Sequence, residues 1–304
     1  MKKIDIGSSG LTASAIGIGC MRFADMETGR VDRFVNEALE QGITLFDHAD
    51  IYGGGQAEAV FGQVLAGNAG LRERMVLQTK CGIREGWFDL SGDHIVASAE
   101  ASLKRLKTGY LDLLLLHRPD TLMEPEEIGK AFEKLKAEGK VRKFGVSNMN
   151  PAQISMLQKQ IGEPLIVNQL QFSAASTSIV DSGINANIPA REYAADMSVL
   201  EYCREHQVTI QTWSSLQYGW FEGTFLNNPK YQELNAVLDC LGEKYGISAA
   251  AVAIAWILRH PAGMQAIVGT TNAERMKAVS LAGDVVLERK EWYDIYRAAG
   301  NRLP

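Results

Sequence analysis

The feature that most constrains the fold is a rhythm. From residue 15 to the end of the chain, short apolar runs alternate with amphipathic stretches of helical period. Ala15–Gly19 precedes the helix-like Val31–Gln41, and Thr44–Phe46 precedes Ala57–Ala66. Met75–Thr79 leads to a stretch in which Ile95, Val96, Ala99, Leu103 and Leu106 share one face, with Asp93 as the expected cap. Leu111–Leu116 is nearly continuous in apolar residues, the pattern of a strand buried on both faces. Pro125–Glu138 reads as a helix with proline in its first turn and Gly139 behind its end. Strands at Val141–Val146, Leu165–Val167, Val208–Thr212 and Gln265–Val268 then alternate with helices at Pro151–Gln160, Met197–His206, Tyr231–Tyr245, Ser248–Arg259 and Ala273–Leu281, and Lys290–Ala299 closes the chain. Segments 2–6 and 11–14 flank Gly7-Ser8-Ser9-Gly10 and predict a leading hairpin. Residues 172–195 and 216–228 interrupt the rhythm, and loops of such length are usually functional.

Eight strand–helix units with no composition shift between them predict one α/β domain over residues 1–304, a TIM (β/α)8 barrel. A doubly wound sheet would place G-x-G-x-x-G after the first strand, and neither that motif nor a Walker sequence is present. Net charge is −5 with no basic block, which argues against a nucleic-acid partner. The longest strictly apolar run, Ala249–Leu258, is half the roughly 20 residues needed to span a bilayer and reads as a core helix. The opening MKKIDIGSSG has no signal-peptide core, and the four cysteines form no CxxC pair, so a cytoplasmic protein with free thiols is expected.

The unusual polar residues fall at one place in each unit, just after the strand. Asp47 and Tyr52 follow strand two, Lys80 ends strand three, and His117 ends strand four. Ser147 and Asn148 end strand five, Gln169 strand six, Trp213 and Ser214 strand seven, and Thr270 and Thr271 strand eight. Each has an ordinary explanation: a solvated lysine, a turn-forming aspartate, a packing tyrosine, a satisfied core histidine. In a barrel, however, C-terminal strand ends gather on the rim that carries chemistry. A phenol with pKa about 10 is a poor proton donor near neutrality, and a neighbouring ammonium pulls that value down. A carboxylate such as Asp47 keeps the lysine charged, and a histidine on the next strand can orient a substrate oxygen. These groups supply no hydride, so a reduction needs a cofactor.

At this point the sequence resembles the aldo-keto reductase superfamily, in particular its bacterial NADP-dependent oxidoreductases. The resemblance rests on GIGCMRF at 17–23, FDHADIYGGG at 46–55, LQTKCG at 77–82, LDLLLLHRPD at 111–120, GKVRKFGVSN at 139–148, NQLQFS at 168–173 and IVGTTNAERM at 267–276. It implies a barrel closed below by the N-terminal hairpin, with extra C-terminal helices and NADP(H) extended across the top. It further implies Tyr52 as proton donor, Lys80 as the group that tunes it, Asp47 as the lysine's partner and His117 as the residue orienting the carbonyl. Cofactor contacts are implied at Met21, Arg22, Asp47, Ser147, Asn148, Gln169, Trp213, Ser214, Leu216, Gly269, Thr270, Thr271 and Arg275. Trp213 stands where tyrosine or phenylalanine is more usual. Gly269 stands where many members carry a lysine facing the adenosine 2′-phosphate, and Ala278 and Val279 replace a common Glu-Asn pair near the adenine. Thr270, Thr271 and Arg275 retain phosphate-binding chemistry at a helix start, which favours NADPH.

The expected partner is a small carbonyl or alcohol substrate; a monomer is expected, with a weak homo-oligomer as the alternative, and the chemistry calls for no metal. Aromatics in the irregular loops (Trp87, Phe88, Tyr218, Trp220, Phe221) point to an apolar or ring-bearing substrate. Two rival readings use the same fold: an NADPH-binding regulatory subunit with little turnover, and a hydrolase or lyase working through Asp47 and Asp50. Within FDHADIYGGG, His48 and Asp50 are expected to serve packing and the turn.

Overall fold

The computed structural model describes residues 1–185, 198–219 and 222–303. Lys3–Ile6 (β1) and Leu11–Ser14 (β2) form the antiparallel hairpin. Ile16–Gly19 (β3), helix Thr28–Glu40 (α1), Leu45–Asp47 (β4), Gln56–Gly67 (α2) and Val76–Cys81 (β5) follow. A short hairpin of Ile83–Arg84 (β6) and Trp87–Phe88 (β7) lies within a stretch the sequence reads as irregular. Then come Gly92–Leu106 (α3), Leu111–Leu116 (β8), Pro125–Ala137 (α4), Val141–Ser147 (β9), Pro151–Gln158 (α5) and Leu165–Gln171 (β10). Ser178–Ile184 (α6), Val199–Glu205 (α7), Thr209–Trp213 (β11), Gln232–Tyr245 (α8), Ala249–Arg259 (α9), Gln265–Val268 (β12), Ala273–Ser280 (α10) and Arg289–Ala298 (α11) complete the described chain. Residues 186–197 of the long interruption, with Trp220 and Phe221, lie outside the described residues.

Eight parallel strands close in the order β10-β11-β12-β3-β4-β5-β8-β9. This is the TIM barrel the alternation predicts. The cap of α3 differs from expectation: the Ser91 side chain accepts from His94 N, while Asp93 sits inside the first turn. The alternation of β-structure sorts the interior into layers. Leu45, Val76, Leu113, Leu115, Val167 and Ile267 form an apolar cluster with Ile6 and Ala13 of the hairpin, which plugs the lower end. Gly7 makes this close approach possible: its φ is +58°, and a Cβ there would come within 2.4 Å of Ile166 Cβ. Two residues further along the strands, the interior turns polar, with Asp47, Gln78, Gln169 and Gln211 all buried. Two more residues bring β5 to Lys80 and β11 to Trp213, at the rim. No single helix among the described residues is long and apolar enough to cross a membrane. The apolar run expected as a core helix is α9, buried from Ala251 to Leu258.

Candidate active site

The site begins where β4 ends. Beyond Asp47 the chain stays beside β5 for three residues, with His48 N donating to Gln78 O at 2.8 Å and Asp50 N to Lys80 O at 3.0 Å. It then folds into a 3-10 turn, Tyr52–Gly55, with Gly53, Gly54 and Gly55 all at positive φ. Gly53 is required on two counts: its φ is +59°, and a Cβ would sit 2.4 Å from Ala24 Cβ. The turn therefore packs onto the segment after β3 and sets Tyr52 over the rim.

Lys80 is fully buried. Its Nζ lies 2.7 Å from Asp47 Oδ2, 2.9 Å from His48 O and 3.1 Å from Tyr52 Oη. An ammonium has three N–H donors, and here each has an oxygen. That satisfaction is what makes a buried charge tolerable. Burial pushes the Lys80 pKa down, but Asp47 and Tyr52 more than offset it, and the net shift is upward, so the lysine is charged. For Tyr52 the balance differs from the sequence expectation. Burial raises the phenol and outweighs the lowering by Lys80, so the net shift is also upward. Tyr52 thus holds its proton at neutral pH, with a cation ready to stabilise the phenolate once the proton leaves.

The Tyr52 ring stands edge-on to His117, centroids 6.1 Å apart. Burial, then Lys80 and Arg118, hold the His117 pKa well below the usual value, so the ring is neutral. Its Nδ1 is buried without a hydrogen-bond partner among the described residues. Cys20, beside Asp47, has its thiol pushed up by burial and by that carboxylate, which makes it unreactive. His48 packs edge-on against Phe61 at 4.7 Å, the packing role expected of it.

The other predicted positions line the same rim. Ser147 Oγ donates to Gln169 O at 2.9 Å, and Trp213 Nε1 to Asn148 Oδ1 at 3.0 Å. Gln169 directs its Nε2 downward, to Asp47 Oδ1 at 3.2 Å and Gln211 Oε1 at 3.0 Å. Ser214, at φ +53°, donates through Oγ to Gln217. The Leu216 carbonyl accepts from Thr224 at 2.8 Å. Met21 is exposed, and Arg22 reaches across to donate to the Gly269 carbonyl. Thr270 Oγ1 accepts from Asn272 N, and the Asn272 side chain caps α10 by accepting from Arg275 N at 2.9 Å. Val279 is buried in the core. On the loops, Trp87 and Phe88 are exposed and Tyr218 packs on Tyr231.

The sequence reading passed over three groups. Gln78 and Gln211 lie directly below the rim, and the signal was their spacing, two residues before Lys80 and two before Trp213. Arg118, next to His117, places its guanidinium 5.9 Å from the Trp213 ring across the mouth.

Chemically the arrangement can exchange a proton with an oxygen held at the barrel mouth: a barrel fitted for acid–base chemistry on a small molecule. The chain belongs to the aldo/keto reductase family, an oxidoreductase family whose model matches residues 15–299. It is 37% identical over 305 residues to a 6-dehydroglucose reductase of Agrobacterium fabrum, covering 96% of each chain. It is 36% identical to the oxidoreductase YdhF of Escherichia coli, covering 98% of both. An aldo-keto reductase of Klebsiella pneumoniae solved with NADPH superimposes with a TM-score of 0.75 at 27% identity, covering 97% of this chain and 94% of that one. The thermostable aldo-keto reductase Tm1743 shares the fold, with a TM-score of 0.79.

Proposed function

We propose that the chain is an NADP(H)-dependent carbonyl reductase that converts an aldehyde or ketone to an alcohol, with Tyr52 as proton donor. The observation that carries this reading is the fully buried Lys80, held by Asp47 at 2.7 Å and donating to Tyr52 at 3.1 Å. A lysine so placed has one chemical consequence at the mouth: it lowers the cost of removing the phenolic proton. The Klebsiella structure solved with NADPH supports the cofactor.

The residues present fit that cofactor. Asn148 and Trp213, joined by a hydrogen bond at the ends of β9 and β11, would meet the nicotinamide end, while Gln169 between them gives its Nε2 to the layer below. Ser147 Oγ accepts from Asn148 Nδ2 and donates to the Gln169 backbone carbonyl. Ser214 and Leu216, with Gly269, Thr270, Thr271, Arg275, Met21 and Arg22, would hold the phosphates and the adenosine end. Gly269 suits the role because it is exposed and without a side chain at the strand end. When bound, NADPH supplies the hydride to the carbonyl carbon. His117, neutral, orients the carbonyl oxygen. Tyr52 gives that oxygen its proton, and Lys80 stabilises the phenolate left behind. In alcohol oxidation the same groups take the proton back.

Two relatives named 6-dehydroglucose reductases make sugar aldehydes the first class to assay. The test is loss of NADPH absorbance with a panel of sugar, aliphatic and aromatic aldehydes. Tyr52→Phe should abolish turnover and leave NADPH binding intact. Full turnover by Tyr52→Phe overturns the assignment, and tight NADPH binding with no substrate turned over favours a regulatory subunit.

A further inference from the structure

Below Lys80 the barrel interior holds a connected set of amides. Gln78 Nε2 donates to Asp47 Oδ1 at 2.5 Å and to Gln211 Oε1 at 2.8 Å, and Gln211 Nε2 returns a bond to Gln78 Oε1 at 2.9 Å. β5 and β11, which carry this pair, lie on opposite sides of the barrel. Gln169 Nε2 adds bonds to Asp47 Oδ1 and Gln211 Oε1. Gln211 Nε2 also donates to Gln265 Oε1 at 2.8 Å, and Gln265 Nε2 to Ser14 O at 2.6 Å. All four glutamines are at least nine-tenths buried. Barrel interiors are ordinarily filled by branched apolar side chains, and a buried amide is costly unless bonded. Packing alone does not explain four of them in one layer.

We propose that Gln78 and Gln211 are positioning residues for the proton-donating site: they fix the plane of the Asp47 carboxylate so that one oxygen faces Lys80. The division of labour at Asp47 supports this. Oδ1 receives the amides of Gln78 and Gln169, and Oδ2 receives the ammonium. Without the lower donors the carboxylate is free to turn about its χ2 axis, and Lys80 loses a directed partner. Gln211 holds Gln78 from across the barrel and is in turn anchored through Gln265 to the backbone of the hairpin end. The charged and titratable groups around Asp47 are Lys80 from β5, Tyr52 and His48 from its own segment, Cys20 from the end of β3 and His117 from the end of β8. Asp47 and Lys80 are the ion pair among them. This inference rests on the reading of Tyr52 as the proton donor.

The test uses the full chain and Gln78→Met, which keeps length and removes both donors. The upward inflection of alcohol oxidation with pH reports ionisation of Tyr52. With Lys80 less well directed, that inflection should move up by about one pH unit. kcat/KM for reduction should fall about 10- to 100-fold through kcat, with NADPH affinity unchanged. Gln211→Met, which leaves the Asp47 contacts of Gln78 and Gln169 in place, should move both in the same direction by less. Arg72→Met removes a buried bond to Asp112 at the opposite end of the barrel. It should lower thermal stability without moving the inflection. If Gln78→Met or Gln211→Met behaves like Arg72→Met, the positioning role is overturned. Tyr52→Phe, run in parallel, separates the two readings: if it is inactive while Gln78→Met has wild-type kinetics, only the network inference falls. If Tyr52→Phe turns over, the underlying assignment falls.

Discussion

The indole N–H of Trp213 donates to Asn148 Oδ1 at 3.0 Å and ties the end of β11 to the residue after β9, across the intervening β10. Asn148 sits at φ +57°, a left-handed conformation that asparagine tolerates better than most residues. With its oxygen engaged, its Nδ2 donates to Ser147 Oγ at 2.7 Å and to His117 O at 3.4 Å. The orientation of the amide is thereby set. A phenylalanine ring at 213 would present a similar face and no donor. Trp213→Phe should therefore raise KM for NADPH about 3- to 10-fold, the worth of one hydrogen bond, while kcat changes less. Steady-state kinetics with NADPH varied checks this, and unchanged KM would show that the ring face alone matters.

Much of this is legible in the sequence, for identifiable reasons. Parallel strands buried on both faces announce themselves as runs such as Leu111–Leu116, and each rim residue stands just past such a run. What single-strand reading misses is the partner across the barrel. Gln78 and Gln211 are unremarkable alone, and their pairing exists only because β5 and β11 face each other. The net pKa of Tyr52 was also beyond a residue-type argument. Sequence supplies the sign of the Lys80 effect, but burial opposes it, and burial depends on the closed barrel. The β6–β7 hairpin was missed because two-residue strands carry no period.

Asp50 makes stability depend on pH in a direction opposite to most carboxylates. Its Oδ1 is buried with no hydrogen-bond partner among the described residues. Burial and the nearby Glu58 push its carboxyl up to about 7, against the lowering by Arg105, the Ile51 amide and Lys80. Between 3.8 and about 7 the folded protein holds a proton that the unfolded chain has released, so this residue's cost is absent in acid and grows as pH rises through that window. Asp50→Asn should match wild type near the bottom of the window. It should be more stable by about 2 kcal/mol above the top, a figure discounted for partial solvent screening. His48 has the reverse sign: burial and Lys80 lower its pKa to about 3, so its contribution erodes as pH falls below 6.5. The variant-minus-wild-type difference in thermal midpoint across pH cancels the His48 slope and isolates Asp50.

Glu58 joins the Tyr52 turn to the Lys80 strand. It is fully buried, accepting from Thr79 Oγ1 at 2.5 Å and from Arg105 Nε at 2.7 Å. Thr79 precedes Lys80, and Arg105 lies against Gly55, where φ is +92° and a Cβ would come 2.9 Å from Arg105 Cδ. Glu58→Ala unties all three and leaves the guanidinium without this partner. Breaking such a pair should cost about 3 kcal/mol, and kcat should fall more than KM rises, because the turn loses its fixed distance to β5. Glu58→Gln keeps an acceptor for Thr79 and should cost less. Denaturant unfolding and steady-state kinetics on the two variants check the ranking, and equal kcat in both with lost stability in one would confine Glu58 to a structural role.

Preference for NADPH over NADH should rest on arginines. Position 269 is glycine, and Arg22 Nη1 donates to its carbonyl. A Cβ there would sit 3.3 Å from that nitrogen, so the glycine and the arginine's approach are coupled. Arg275 is exposed in the first turn of α10, whose start is capped by Asn272, so it brings a full charge to a helix end that already favours anions. Charge-assisted bonds to a phosphate are worth about 1.5–3 kcal/mol, so Arg275→Ala should reduce the NADPH-to-NADH ratio of kcat/KM by about 10- to 100-fold. The loss should appear in NADPH parameters alone, since NADH carries no 2′-phosphate. Gly269→Lys should not raise the ratio in proportion to the added charge, because its Cβ makes the Arg22 guanidinium shift by a few tenths of an ångström and brings a second cation beside it. Competition between the two cofactors in wild type, Arg275→Ala and Gly269→Lys decides the matter, and a wild-type ratio near unity would remove phosphate recognition from this helix start.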